Sequence, residues 1–167
     1  MNAAQINDLL SLGRPAFSVT EAGAAEIGDL TRALAQENPS AAVRRVRGSR
    51  ARTMSDFFDE MAATLQFPAY FGANWHALYD CLADLGWLPA TAYLLVIEDA
   101  DLLLVEEPDE ILTECLRVLA NGAAAWQGPQ DAEPPPSAIP FQIVLQAPAD
   151  GRIARSLRAS GTAFEVI

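Results

Sequence analysis

Acidic and aromatic side chains recur at helical spacing between residues 65 and 85. His76, Asp80 and Asp84 follow one another every four residues, which places them on one face of a helix with Tyr79 at its border. The opposite face carries an apolar stripe at spacings of three and four: Trp75, Leu78, Leu82 and Leu85. This pattern predicts a helix with a buried back and an acidic, aromatic front. Such a front suits protein binding, because aromatic anchors and charge pairs dominate interface energetics. An ordinary solvated helix face is the alternative that spacing alone leaves open.

Nucleophilic catalysis would have to use the one histidine of the chain, His76. A Ser-His-Asp or Cys-His device requires that histidine to meet a nucleophile. Cys81 is five residues further on and points toward the apolar side of the same helix, where a free cysteine is usually a packing residue. The sequence also has no P-loop, dinucleotide-binding or serine-hydrolase motif. We therefore predict that the chain is not an enzyme and needs no cofactor.

A group of acids after a predicted strand is the candidate for a metal site. Its members are Glu98, Asp99, Asp101, Glu106 and Glu107. Loops that follow strands often hold ligands in α/β proteins, and carboxylate oxygens suit Mg²⁺ or Ca²⁺. The spacing and glycine of an EF-hand are absent, however. We predict a solvated acidic loop and no metal site, with a metal-dependent enzyme as the less favoured alternative.

The charge of the chain is strongly negative and unevenly distributed. There are 22 acids and 11 bases, for a net charge of -11, and every base is arginine. Residues 53–138 contain fifteen acids and a single base, Arg117. A field of this sign repels the phosphate backbone of nucleic acids and attracts a basic protein. We therefore predict a basic protein partner and no direct contact with nucleic acid.

The sequence also bears on location. No apolar run approaches the roughly 20 residues that a membrane-spanning helix needs, and the first thirty residues lack the pattern of a secretory signal. The two cysteines form no redox or zinc motif. We predict a cytoplasmic protein that does not contact a membrane; the sequence leaves its oligomeric state open.

The elements that would position these residues alternate between strand and helix, which predicts an α/β layered sheet. Nearly unbroken apolar runs at 93–97 and 141–145 are typical of strands buried on both faces of a parallel sheet, and 43–47 supplies a third strand. Helices are predicted at 54–65, 74–84 and 108–121. Because each connection between consecutive strands contains a helix, we expect the three strands to be parallel.

Both ends of the chain carry further elements. A strand at 16–19 and a helix at 21–36 precede the strand at 43–47. Together these three elements predict an extra β-α-β unit at the edge of the sheet. The tail, 164–167, is a candidate for another strand. We treat residues 1–167 as a single domain with a core at 42–146, an N-terminal extension at 1–41 and a C-terminal extension at 147–167.

The helix with the acidic front, together with the loop before it, resembles the barstar family, the intracellular protein inhibitors of barnase-type ribonucleases. The residues that carry the resemblance are Phe67, Pro68, Tyr70, Phe71, Gly72, Asn74, Ala77, Leu78, Asp80, Cys81 and Leu82. The order of strands and helices between residues 43 and 145 also matches. The resemblance implies a small α/β fold, in which a three-stranded parallel sheet with room for extra edge strands packs against helices. It also implies that the loop and helix plug the active site of a ribonuclease.

The resemblance further assigns roles to individual residues. Asp80 matches the acid that the family places in the phosphate pocket of the nuclease, and Tyr70 and Asn74 match contact positions in the loop and helix start. Tyr79 stands where the family often has tryptophan. We expect these four residues, together with His76 and Asp84, to contact the partner.

One position departs from the family pattern. His76 stands where the best-known member has a second acid, so it supplies no fixed negative charge there. Asp84, one turn beyond Asp80, would restore that charge, and Glu114 is a candidate for an acid that the family carries on a later helix. The chain is therefore expected to bind and block a small basic ribonuclease through this acidic helix and loop, and the sequence leaves open which nuclease that is. An acidic adaptor for another basic protein is the alternative.

Overall fold

The structure is a computed structural model that describes residues 8–127 and 138–167. Strands and helices alternate through these residues, as the sequence predicts. In chain order they are β1 (Phe17–Thr20), α1 (Ala24–Glu37), β2 (Ala42–Arg47), α2 (Met54–Leu65), α3 (Trp75–Asp84), β3 (Tyr93–Glu98), α4 (Asp109–Ala124), β4 (Phe141–Gln146), α5 (Arg152–Ala159) and β5 (Phe164–Val166). Within the described ranges, no helix combines the length and the apolar character needed to span a lipid bilayer.

The strands form one parallel sheet in the order β2-β3-β4-β1-β5. The three core strands lie side by side, with Val43 opposite Leu94 and Leu94 opposite Gln142. The predicted α/β fold and its parallel core are therefore confirmed. The two additional strands are also present, β1 in the N-terminal extension and β5 in the C-terminal one.

The predicted position of the first strand is wrong. β1 does not lie at the edge of the sheet beside β2; it lies between β4 and β5 and pairs with both. The reason is the right-handedness of crossovers between parallel strands. The connection from β1 through α1 runs along one face of the sheet, and the later connections run along the other face. The two sets therefore build the sheet in opposite directions, which returns β4 to the side of β1.

The two faces of the sheet are covered by different helices. Ile27, Leu30 and Leu34 of α1 pack with Leu94, Val96 and Val144 on one face. The other face carries the larger core, in which α2, α3, α4 and α5 pack against the alternate residues of the same strands. The prediction that β3 and β4 are buried on both faces is thus confirmed, because the N-terminal extension supplies the second helical layer.

Candidate protein-binding site

The acidic helix α3 begins at a capped asparagine. The Asn74 Oδ1 atom accepts a hydrogen bond from the Ala77 N–H at 3.0 Å, and its Nδ2 group donates to the Gly72 carbonyl at 3.1 Å. A Cβ atom on Gly72 would lie 2.9 Å from that Nδ2 group, so a larger residue at this position would displace the Asn74 amide. Asn74 therefore orders the loop with both ends of its side-chain amide, which is one of the arrangements typical of a helix N-cap.

The loop before α3 is held in place by aromatic side chains. Phe67 and Phe71 contact each other with ring centroids 4.8 Å apart, and Phe71 lies edge-on to Phe58 of α2 at 6.0 Å. Trp87 packs against Phe67 and donates its indole N–H to the Leu65 carbonyl at 3.0 Å. This cluster fixes the backbone of the loop. Edge-to-face aromatic pairs of this kind contribute about 0.5–1.5 kcal/mol each beyond their buried area.

Tyr70 projects from the ordered loop into solvent. Its side chain is 76% exposed, the highest value among the large apolar or aromatic residues of the described chain that are exposed. An aromatic ring presented on a rigid loop loses little conformational entropy when it binds a partner. Tyr70 is therefore a suitable anchor for a protein interface.

The back of α3 is locked against its neighbours. Leu78, Cys81 and Leu82 are buried, and the Trp126 indole donates to the Leu82 carbonyl at 2.8 Å. α4 comes so close that a Cβ atom on Gly122 would lie 2.7 Å from the Leu82 Cβ atom. At the start of the helix, the Trp75 ring packs edge-on to Phe58 with centroids 4.9 Å apart. This packing makes α3 a rigid support for its outer face.

The outer face of α3 is acidic and exposed. Asp80 and Asp84 are exposed, and across residues 8–127 and 138–167 neither carboxylate has a hydrogen-bond or ion-pair partner. Tyr79 is 41% exposed, and His76 is also exposed. All six residues selected from the sequence are thus at the surface on α3 or its preceding loop. A carboxylate that is already desolvated and paired could not serve a partner, so free acids on a rigid helix are the favourable arrangement for binding.

His76 and Tyr79 lie on the side of α3 that adjoins α4. They line a cleft between the helices whose other walls are Trp75, Glu114, Arg117, Val118 and Asn121. Arg117 donates to both carboxylate oxygens of Glu114, from Nε at 2.9 Å and from Nη2 at 2.5 Å. This pairing lowers the pKa of Glu114, and His76 makes a smaller contribution in the same direction. Glu114, an uncertain candidate from the sequence, therefore adjoins the face of α3.

Arg117 and Asn121 were not selected from the sequence. The signal that could have identified Arg117 is its isolation, because it is the one base in a long acidic segment. Helix spacing alone could not show that it would face His76, since the two residues lie on different helices. The structure thus extends the candidate surface from α3 onto α4.

Neither cysteine is suited to act as a catalytic nucleophile. Burial raises the pKa of the Cys81 thiol, and the carboxylates of Asp80 and Asp84 raise it further. Burial raises the pKa of the Cys115 thiol well above its usual range. Since the thiolate is the reactive form, both cysteines are poor nucleophiles.

Four of the five acids considered as metal ligands bond other parts of the chain. Glu98 pairs with Arg45, Glu106 pairs with Arg52, and Glu107 accepts from the Met54 N–H at 2.8 Å. Asp101 accepts from the first N–H groups of α5, those of Arg152 and Ile153. In the described part of the chain, no group of three or more histidine, cysteine or acidic residues is arranged to hold a metal ion.

Comparison with known proteins identifies a family and shows likeness to solved structures. Residues 41–146 match the family model described as Barstar (barnase inhibitor). No curated protein matches the chain. Among solved structures, the chain is similar to the ORC2 protein of Aeropyrum pernix in its ADPNP-ADP complexes, with a TM-score of 0.54 and 13% sequence identity; the match covers 98% of this chain and 43% of that one. At this identity the likeness concerns the fold alone, and the chain spans less than half of the ORC2 chain.

Proposed function

The chain belongs to the barstar family, and we propose that it binds and blocks a small basic ribonuclease through the outer face of α3. The observation that carries this proposal is the pair of free carboxylates, Asp80 and Asp84, on a helix that is rigidly held from behind. Exposed tyrosines lie on the loop and on the helix beside them. In this proposal the chain acts by occupying the nuclease and has no catalytic activity of its own.

Asp80 is proposed as the central contact. A ribonuclease must hold phosphate, which it does with arginine, lysine and histidine side chains. A carboxylate is a good substitute for a phosphate oxygen in such a pocket, because it accepts the same charge-assisted hydrogen bonds. The field of the acidic segment would also steer a basic protein toward this face and speed association, in the manner known for barnase and its inhibitor.

The other residues have supporting roles in this proposal. Tyr70 and Tyr79 would cover the partner's surface on either side of Asp80 and exclude water from it. Asp84 would extend the negative surface toward the rim, and His76 would mark a difference from acid-rich relatives. Asn74 would act by holding the loop and the first turn of α3, since both ends of its amide are already hydrogen-bonded within the chain.

An acidic adaptor for a different basic protein is the second candidate function. It would use the same exposed carboxylates, so geometry does not separate it from an inhibitor. The two differ in their effect on the partner, because an adaptor leaves the partner's catalysis unchanged. The cytoplasmic location predicted from the sequence is part of both proposals and stays a prediction.

The test is capture of the partner followed by an assay of its activity. The tagged full chain would be used to isolate proteins from a lysate, with the Asp80→Ala variant and a Glu37→Ala variant in parallel. Glu37 is a matched control because it is an exposed acid on α1, across the sheet from α3. We expect the parent chain and Glu37→Ala to retain a basic ribonuclease whose activity is suppressed in the complex and returns on dissociation. A captured protein whose activity is unaffected by the chain would favour the adaptor.

A further inference from the structure

The two edges of the sheet differ in how they are protected. At the β2 edge, the chain's own side chains bond three of the outward backbone groups: Arg44 donates to the Val43 carbonyl at 3.0 Å, Thr64 donates to the Arg45 carbonyl at 3.4 Å, and Glu60 accepts from the Arg47 N–H at 3.1 Å. Edge groups that are already bonded are poor templates for another strand. The β2 edge is therefore partly protected.

The β5 edge is open. The Ile167 N–H donates inward to the Val19 carbonyl at 2.9 Å, so alternation along the strand directs the N–H and C=O groups of Phe164 and Val166 outward. Among residues 8–127 and 138–167, nothing bonds these four groups. Val166 is 54% exposed and Ile167 is 37% exposed, which leaves apolar side chains in solvent beside unpaired backbone.

A groove of about 590 Å³ adjoins this open edge. It runs between β5 and α1, and its apolar lining comes from Ala22, Ile27, Leu30, Ala33 and Ile167. The remaining lining residues are Thr20 and three acids, Glu21, Glu26 and Asp29; no basic residue lines it. Glu21 and Glu26 accept hydrogen bonds only from backbone N–H groups in the described chain, those of Ala149 and Gly23.

We infer that the open β5 edge and the groove beside it form a second interaction surface, which takes a β-strand from a basic partner protein. The strand would add to the sheet by bonding the outward groups of Phe164 and Val166. Its apolar side chains would enter the groove, and its arginine or lysine side chains would meet Glu21 and Glu26. Strand addition of this kind draws affinity from main-chain hydrogen bonds and specificity from side-chain pockets.

The acids of the groove favour a basic strand over a second copy of the chain and over nucleic acid. A second copy of the chain carries a net charge of -11 and would bring its own Glu21 and Glu26 against the first pair; the third groove acid, Asp29, is paired with Arg32. Nucleic acid would be repelled by the same acids. The surface is also independent of the proposed ribonuclease site, because the groove adjoins α1 on one face of the sheet and α3 packs on the other face. One chain could therefore hold two partners at once.

The test uses a short synthetic peptide in which every second residue is valine or arginine and the residues between them are threonine, so that valine and arginine side chains face the groove together; it is added to the full-length chain. Binding would be measured by calorimetry and located by backbone NMR shifts. Val166→Pro removes one outward donor and blocks the edge, while Val166→Thr keeps the donor; proline is tolerated at such outward edge positions. Glu21→Gln removes a groove charge but keeps an acceptor for the Ala149 N–H. A melting curve would confirm that each variant is folded.

We expect shifts at β5 and α1, a loss of at least about tenfold in affinity for Val166→Pro, little change for Val166→Thr and a severalfold loss for Glu21→Gln. A peptide in which glutamate replaces arginine should not bind. Equal binding by Val166→Pro and the parent, or shifts confined to α3, would overturn the inference. So would concentration-dependent dimerisation of the parent that Val166→Pro abolishes, because the occupant would then be a second copy.

Discussion

Replacing Asp80 by alanine would remove an exposed carboxylate that has no partner elsewhere in the described chain. The free energy of unfolding should therefore change by no more than about 0.5 kcal/mol, as is usual for surface positions. Binding should change much more. In the complex, loss of the carboxylate would leave the cations of a nuclease pocket buried without a counter-charge, which typically costs about 2–5 kcal/mol or more. That cost corresponds to a loss in affinity of roughly thirtyfold to several-thousandfold.

Two further variants make the test specific. Asp84→Ala removes the same charge at the end of α3, nearer the rim, and should cost below about 1 kcal/mol, mostly through a slower, salt-dependent association. Glu37→Ala removes the same charge from the far side of the sheet and should leave the affinity unchanged. Calorimetry and stopped-flow fluorescence against the captured nuclease would give affinities and rates. Equal losses for all three variants would show that only net charge matters, and unchanged binding by Asp80→Ala would refute the role of this residue.

Three other predictions concern the support of the site. Gly122→Ala places a Cβ atom 2.7 Å from the Leu82 Cβ atom and should cost about 1–3 kcal/mol in denaturant unfolding; Gly28→Ala, which meets nothing within 4 Å in α1, is the control and should not destabilise. Hydrogen bonds from Arg47 lower the pKa of Glu60, so its contribution to stability is present above the ordinary value of 4.5 and is lost as the pH falls through the lowered value. Glu60→Gln should therefore be less stable than the parent by about 1 kcal/mol at neutral pH, with the difference closing in acid denaturation series. Deletion of residues 1–41 removes β1 and α1, uncovers Leu94, Val96 and Val144, and should abolish cooperative melting by circular dichroism; an unchanged melting temperature would show that the extension is an appendage.

Local patterns in the sequence were enough to predict the core elements. The unbroken apolar runs of β3 and β4 identified strands with two buried faces. Thr53 and Asp56 have the spacing of a helix N-cap at the start of α2, and the Thr53 hydroxyl accepts from the Asp56 N–H at 3.2 Å. Strand order was not predictable in the same way. Four apolar residues in β1 show that a strand is there, but its neighbours depend on which face α1 covers, and that is a property of the whole chain.

The candidate site shows the same division between local and long-range information. The exposed positions of Asp80 and Asp84 follow from helical spacing, and the cap at Asn74 follows from its residue type. The cleft between α3 and α4 could not be predicted, because the approach of Glu114 and Arg117 to His76 depends on how two helices pack. That packing depends in turn on the missing side chain of Gly122, a long-range contact with no local signature.

The most direct test of the central proposal is a titration of ribonuclease activity with the purified chain in the presence of a metal chelator. If the chain is an inhibitor that plugs the active site, activity should fall linearly and reach zero at one chain per nuclease, and Asp80→Ala should flatten the curve while Glu37→Ala leaves it unchanged. Activity that persists at a saturating excess of a chain shown to be bound would contradict the proposal.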